Sequence, residues 1–162
     1  MTLAVIGCGN PNRRDDGVGP EVIARLRRRA LPTQVELYDA GTDGMAVMYR
    51  ARGASHLIIV DARAPDATPE ASPGAIYEVP GEVLEAPPPQ SLNLHDFRWD
   101  HALFAGRKIY GEGFPAQVKV LLVEAASLDL GLGLTPPVEA AADRVADTIA
   151  ELAEACRAGG WA

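Results

Sequence analysis

The 162-residue chain is poor in cysteine and in net positive charge, and it has no long apolar run. Its two cysteines, Cys8 and Cys156, lie near opposite ends of the chain, which excludes a disulfide framework and a thiolate metal motif. A formal net charge of -7 argues against nucleic acid or an anionic membrane as a partner, because the general field repels phosphate. No segment approaches the ~20 apolar residues of a membrane span, and the first residues, MTLAVIG, lack the basic region of a signal peptide, so we expect an unprocessed cytoplasmic protein.

Length and composition fit one globular domain over residues 1–162, with 48% hydrophobic and 23% charged residues. Short apolar runs predict strands at 2–8, 34–40, 56–62 and 117–125. Apolar residues at helical spacing predict helices at 18–30, within 41–53, at 91–106 and at 138–156. This order predicts an α/β fold, in which a mostly parallel twisted sheet of about five strands has helices on both faces. The proline-rich segment 64–90 is expected to carry an edge strand at 75–80, which can be antiparallel.

The segment that joins the first strand to the first helix contains two consecutive aspartates. Gly7, Gly9 and Asn10 are expected to turn the backbone there, because glycine tolerates conformations that other residues avoid. Asp15 is then expected to cap the helix, while Asp16 is the better candidate for chemistry.

The same segment can also be interpreted as a phosphate or dinucleotide site. GCGN follows a strand, and Asp39 ends the next strand, where a ribose-binding acid would lie. However, Asn12 stands in place of the third glycine, and two aspartates at the helix N-terminus would occupy the anion site themselves. A nucleotide-binding α/β protein is therefore the less favoured alternative.

A metal or acid/base site is the second interpretation. Asp16 and Asp61 follow the first and third strands, whose carboxyl ends meet at one edge of a parallel sheet. Facing carboxylates repel each other unless a cation lies between them, and with a histidine they suit nickel or zinc. Of the three histidines, His95 is placed best in a first helical turn, whereas His56 is expected on the surface and His101 cannot share the site. Simple capping or loop-anchoring roles for the aspartates fit the pattern equally well.

Two further features are expected to be structural. Cys8 lies where a nucleophile could act, but it ends an apolar strand and is predicted to be a buried, inert thiol. No serine lies at a strand-to-helix elbow, so no Ser/His/Asp triad is indicated. The arginines between Arg25 and Arg29 are expected to form a solvated helix end.

Five segments, in this order and spacing, resemble the [NiFe]-hydrogenase maturation proteases of peptidase family M52. They are VIGCGNPNRRDDGVGPEV (5–22), DAGTDGM (39–45), LIIVDA (57–62), SLNLHDFRWDHAL (91–103) and VEAASLDLGLGLTPPVEAA (123–141). The resemblance implies a compact α/β domain of the phosphorylase/hydrolase type. It also implies an endopeptidase that removes the C-terminal extension of the nickel-loaded hydrogenase large-subunit precursor.

The resemblance assigns two sets of residues. The residues that bind the metal and act in catalysis fall on Asp16, Asp61 and His95. The loop linked to substrate recognition falls on Asp39, Gly41, Thr42 and Gly44. This sequence departs from the family pattern at Ala40, where a glycine is usual, and at Arg13 and Arg14, where apolar residues are common.

The resemblance further implies that the precursor supplies the nickel, for which zinc or cadmium could substitute in vitro. The expected partner is that precursor, and the chain is expected to act as a monomer. Hydrolysis by a metal-polarised water and hydrolysis by a carboxylate base both remain open. An aspartic-type dyad of Asp16 and Asp61 is a further alternative, which would operate better at acid pH. A non-catalytic, nickel-sensing assembly factor for the large subunit is the alternative function.

Overall fold

The computed structural model describes residues 1–65, 70–79, 98–159 and 161. Within these residues the strands form one sheet in the spatial order β2-β1-β3-β5-β4. The strands are β1 (Leu3–Cys8), β2 (Val35–Gly41), β3 (His56–Arg63), β4 (Ile76–Glu78) and β5 (Gln117–Glu124). All neighbouring pairs are parallel except β4 and β5, which pair antiparallel at the edge. The predicted mostly parallel sheet with one antiparallel edge strand is therefore confirmed.

Helices cover both faces of this sheet. The α-helices of the described residues are α1 (Val18–Leu26), α2 (Gly44–Ala51), α3 (Trp99–Tyr110) and α4 (Pro136–Arg157). Short 3-10 helices span Arg14–Gly17 and Gly111–Gly113. Helices α1 and α4 pack on one face, and α2 and α3 pack on the other, which confirms the three-layer architecture. None of these helices combines the length and the hydropathy that a membrane span requires.

The two faces of β1 explain its unbroken apolar sequence. Leu3 and Val5 lie in the core beneath α1 and α4, whereas Ala4 and Ile6 lie in the core beneath α2 and α3. All four side chains are fully buried. A strand that is covered on both sides needs apolar residues at every position, so its sequence shows no alternation.

The arginines near the end of α1 agree only in part with the expected solvated helix end, because Arg27 and Arg28 are exposed whereas Arg25 is not. The helix ends at Leu26, before the predicted end near Ala30. Arg25 is not part of a solvated helix end, because its guanidinium pairs with Glu21 in the same helix and reaches α4, where it pairs with Asp143 at 2.9 Å and with Glu139. The charged groups therefore join α1 to α4 along the edge of their interface.

Helix α3 also has different bounds from those predicted. The proposed cap Ser91 lies outside the described residues, and the described helix begins at Trp99 and continues to Tyr110. Gly106 does not end the helix. The ring of Phe114 packs against it so closely that an added Cβ would lie 2.2 Å from a ring carbon. This glycine therefore permits close packing, a reason that the local sequence does not reveal.

Candidate active site

A cavity of about 320 Å³ lies at the carboxyl ends of β1 and β3. The two strands are in register up to the pair Gly7 and Val60, so the segments that leave them start side by side. Asp16, which follows β1, and Asp61, near the end of β3, both line this cavity. The topology thus brings together the two carboxylates that lie 45 positions apart in the sequence.

The Asp16 carboxylate is held by the turn that follows β1. Its Oδ2 atom accepts a hydrogen bond from the backbone N–H of Asn10 at 2.8 Å. A phosphate bound in this loop would need that same N–H, so the contact disfavours the dinucleotide interpretation. Gly9 lies in the loop as predicted, with φ +133°, but Gly7 belongs to β1 and packs directly against Gly19 of α1.

Asp61 is buried, with 8% of its surface exposed. Its Oδ1 atom accepts a hydrogen bond from the Ala62 N–H at 2.8 Å, and its Oδ2 atom lies 3.8 Å from Nη2 of Arg98. Burial raises the pKa of Asp61 to about 7, and the nearby charge of Asp16 adds to this effect, while the Ala62 hydrogen bond and Arg98 oppose it. Asp61 can therefore gain or lose a proton near neutral pH.

The start of α3 contributes two cavity residues that sequence reasoning missed. Arg98 lines the cavity with an exposed side chain, and Trp99 lines it with a buried one. The indole N–H of Trp99 weakly favours the ionised form of Asp61, although it forms no hydrogen bond of normal geometry with the described residues. The sequence signal that could have indicated these two residues is their position inside segment 91–103, one of the five segments that carry the family resemblance.

The predicted recognition loop contributes most of its residues to the cavity. Gly41, Thr42 and Gly44 line it. Asp39 instead supports the loop, since its Oδ1 accepts a hydrogen bond from the Gly41 N–H at 2.9 Å. Asp43, which sequence reasoning did not single out, lines the cavity and caps α2 by accepting from the N–H groups of its second and third following residues.

The histidines do not complete a site within the described part of the chain. His95 lies outside the described residues, and no group of three His, Cys, Asp or Glu side chains among the described ones could hold a metal. His56 was expected on the surface, but the structure places it in the interior. It is buried and lies against Trp161 with ring centroids 4.6 Å apart, and burial lowers its pKa. His101 lies on α3, where its Nδ1 atom is 3.1 Å from Oδ1 of Asp100.

Cys8 lines the cavity and is buried, as predicted. Burial raises the pKa of its thiol, and the charges of Asp61 and Asp39 raise it further. A protonated thiol is a poor nucleophile, so this environment favours a structural role for Cys8.

Asp15 is not the helix cap that the sequence suggested. Gly17 occupies the N-cap position of α1, and no side chain caps that helix. The Asp15 carboxylate is fully buried and accepts hydrogen bonds from backbone N–H groups of Ala126, Ser127 and Thr135, and from the Thr135 hydroxyl, at 2.7–3.1 Å. It therefore anchors the connection between β5 and α4.

The fold and the cavity together define a doubly wound α/β protein with a carboxylate-lined site at the carboxyl edge of its sheet. The model of the hydrogenase maturation protease family, HycI, matches residues 20–152. The chain belongs to this family, which confirms the resemblance seen in the sequence segments and places the chain among peptidases.

Individual relatives agree with this assignment. Hydrogenase 2 maturation protease of Escherichia coli K12 is 32% identical over 146 residues, which are 86% of this chain and 83% of the relative. Coenzyme F420 hydrogenase subunit delta of Methanothermobacter thermautotrophicus is 28% identical over 158 residues, 91% of each chain. The solved structure of the hydrogenase maturating endopeptidase HybD from E. coli is similar with a TM-score of 0.76 and 28% identity, over 98% of this chain and 94% of that one.

Proposed function

We propose that this chain is a cytoplasmic, monomeric endopeptidase that removes the C-terminal extension of a nickel-loaded [NiFe]-hydrogenase large-subunit precursor. The observation that carries the proposal is the placement of Asp16 and Asp61 in one cavity, in a chain of the hydrogenase maturation protease family. The predicted recognition residues Gly41 and Thr42 line the same cavity and support a role for it in substrate binding.

The nickel is part of the substrate in this proposal. Asp16 and Asp61 supply carboxylate oxygens, and His95, assigned from the sequence resemblance, supplies an imidazole nitrogen. Oxygen and nitrogen donors suit a borderline divalent ion, so zinc or cadmium would substitute in vitro. Because Asp61 has a raised pKa, engaging a cation would release a proton from it near neutral pH.

Peptide hydrolysis requires that a water molecule be activated and that the leaving amine be protonated. The substrate's nickel can polarise the water, or a carboxylate can act as the base. The raised pKa of Asp61 fits the second route only while its carboxylate is free of nickel, because a free group with a pKa of about 7 can accept a proton from water and return it to the amine.

Mass spectrometry of the nickel-loaded precursor before and after incubation tests the proposal. Wild-type protein is expected to shorten the precursor, whereas Asp16→Asn, Asp61→Asn and His95→Ala are each expected to lower the cleavage rate by about 10²–10⁴-fold. Glu151→Gln, on the exposed side of α4, is the matched control and should cleave normally. Normal processing by all three site variants would show that the site is wrongly assigned.

A non-catalytic, nickel-sensing assembly factor is the second candidate function. It is favoured by the relative that is named as a hydrogenase subunit, the F420 hydrogenase subunit delta, which matches over 91% of both chains. An assembly factor would form a nickel-dependent complex with the precursor and leave its mass unchanged. The same mass spectrum, combined with a co-purification experiment, separates the two functions.

A further inference from the structure

The connection between β5 and α4 reaches from the cavity to the exposed surface. We name residues 126–134 the leucine loop. Leu128 lines the cavity together with Asp16 and Asp61. Leu130 and Leu132 follow at alternate positions and are 76% and 74% exposed, more than any other large apolar side chain among the described residues. Two exposed apolar side chains thus lie within four positions of a residue that lines the cavity.

The ends of the leucine loop are fixed by one buried carboxylate. Asp15 accepts hydrogen bonds from Ala126 and Ser127 at the start of the loop and from Thr135 directly after it. The Asp15 N–H also donates to the carbonyl oxygen of Ser127, at 3.2 Å. Since Asp15 precedes Asp16, the same turn holds both the loop and the proposed catalytic carboxylate.

The middle of the leucine loop is held by the two arginines that depart from the family pattern. Arg13 donates from Nε to the carbonyl oxygen of Leu128, and Arg14 donates from Nη1 to that of Leu132, each at 3.2 Å. Gly131 exchanges backbone hydrogen bonds with Asn12 and Arg14, both at 2.9 Å. These four hydrogen bonds hold the loop backbone in the conformation that exposes Leu130 and Leu132.

We propose that the leucine loop binds an apolar stretch of the large-subunit precursor beside the scissile bond, with Asp15 as its positioning residue. This inference rests on the proposed function. Leu130 and Leu132 lie two and four positions after Leu128, at most about 7 and 14 Å from it along the chain, so a polypeptide bound in the cavity can reach them. Burying these side chains against the substrate removes their apolar surface from water.

The leucine loop itself offers a partner few charged groups. Asp129 is the only charged residue of the segment 126–134. The guanidinium groups of Arg13 and Arg14 are directed to loop carbonyl oxygens. The leucine side chains are the main groups that the loop itself offers to a bound polypeptide, while Arg13 and Arg14 beside it remain exposed cations.

The test uses the double variant Leu130→Ser/Leu132→Ser in the full chain, with nickel-loaded precursor as the substrate. We expect KM, and the Kd of the complex measured by co-sedimentation, to rise about tenfold or more, because two apolar contacts are lost. We expect kcat to change less than about twofold and the thermal midpoint to stay unchanged, since both side chains are exposed. Ile109→Ser, at the far end of α3 and 64% exposed, is the matched control and should behave as wild type.

Thr135 tests the positioning role of Asp15. Thr135→Val removes the hydroxyl that donates to Asp15, and Thr135→Ser retains it. We expect KM to be higher for Thr135→Val than for wild type, and KM of Thr135→Ser to be close to the wild-type value. A general loss of stability would not produce this difference when both variants are folded at the assay temperature.

Each outcome decides the inference. An unchanged KM and Kd in the leucine double variant would overturn it. It would also be overturned if the wild-type protein forms a dimer that the double variant does not form, because a second copy of the chain would then cover the loop. If wild-type protein does not cleave the precursor but binds it through the leucines, the proteolytic function fails and the docking surface stands. If wild-type protein neither cleaves nor binds it, both fail.

Discussion

Thr135 donates two hydrogen bonds to the carboxylate of Asp15, one from its backbone N–H to Oδ1 and one from its hydroxyl to Oδ2, both at 2.7 Å. Thr135 is also the residue before α4, where a hydroxyl commonly caps the helix. Here the hydroxyl makes no such cap and contacts Asp15, 120 positions earlier in the sequence. The start of the long helix α4 is therefore joined to the turn that carries Asp16.

Asp15→Asn is expected to lower the free energy of unfolding by about 3 kcal/mol. An asparagine amide group would face backbone N–H donors and leave buried groups unpaired, which is costly. Urea unfolding followed by circular dichroism measures the change. Asp129→Asn, an exposed acid in the leucine loop, is the control and should change stability by less than about 0.5 kcal/mol. Equal stability of the two variants would contradict the anchoring role of Asp15.

The fold was predictable because its signals are local. The apolar runs of β1 and β3 and the helical spacing of α4 lie within single segments, and parallel pairing then places Asp16 near Asp61. The role of Asp15 was not predictable in this way. Its partners lie 111–120 positions away, and a local pattern of two acids before a helix predicts a cap instead.

The remaining differences at the site have a similar cause. Arg98 and Leu128 enter the cavity from segments whose distance from Asp61 depends on the packing of helices and loops. His56 was expected on the surface because it begins a strand, but the ring of Trp161 covers it from the opposite end of the chain. Contacts that depend on side-chain packing between distant segments leave no periodic pattern in the sequence. The role of His95 stays a prediction.

Gly9→Ala is expected to lower both stability and activity. The backbone at Gly9 has φ +133°, and an added Cβ would lie 1.8 Å from the carbonyl oxygen of Asp16, so the turn must shift. We expect a loss of at least about 2 kcal/mol in unfolding free energy, together with slower precursor cleavage. Gly113→Ala is the control, because its nearest neighbour would lie 3.8 Å away. Wild-type behaviour of Gly9→Ala would show that the turn is not constrained as described.

The buried carboxyl group of Asp61 predicts a pH dependence of stability. Its pKa is about 7 in the folded protein against 3.8 as the ordinary value, so the folded state holds a proton that the unfolded state has lost. Stability from this group is therefore present at low pH and declines between about pH 4 and pH 7, by ~1.4 kcal/mol per pH unit at most. Asp61→Asn should lack this pH-dependent contribution to the free energy of unfolding. Relative to wild type, the variant should become more stable as the pH rises from about 5 to 8, as measured by urea unfolding. A constant difference across that range would contradict the raised pKa.

The thiol of Cys8 is expected to be unreactive although it lines the cavity. Burial raises its pKa, and the acidic neighbours Asp61 and Asp39 raise it further, so the thiolate is scarce at about pH 8. Cys156 is also buried, and burial raises its pKa as well. Titration with a chromogenic disulfide reagent should detect no fast thiol in the native protein and both thiols in urea. The variant Asp61→Asn should give the same result, because burial, the largest cause of the shift, is retained. One rapidly reacting thiol in the native protein, lost in Cys8→Ser, would instead reopen the hypothesis of a cysteine nucleophile.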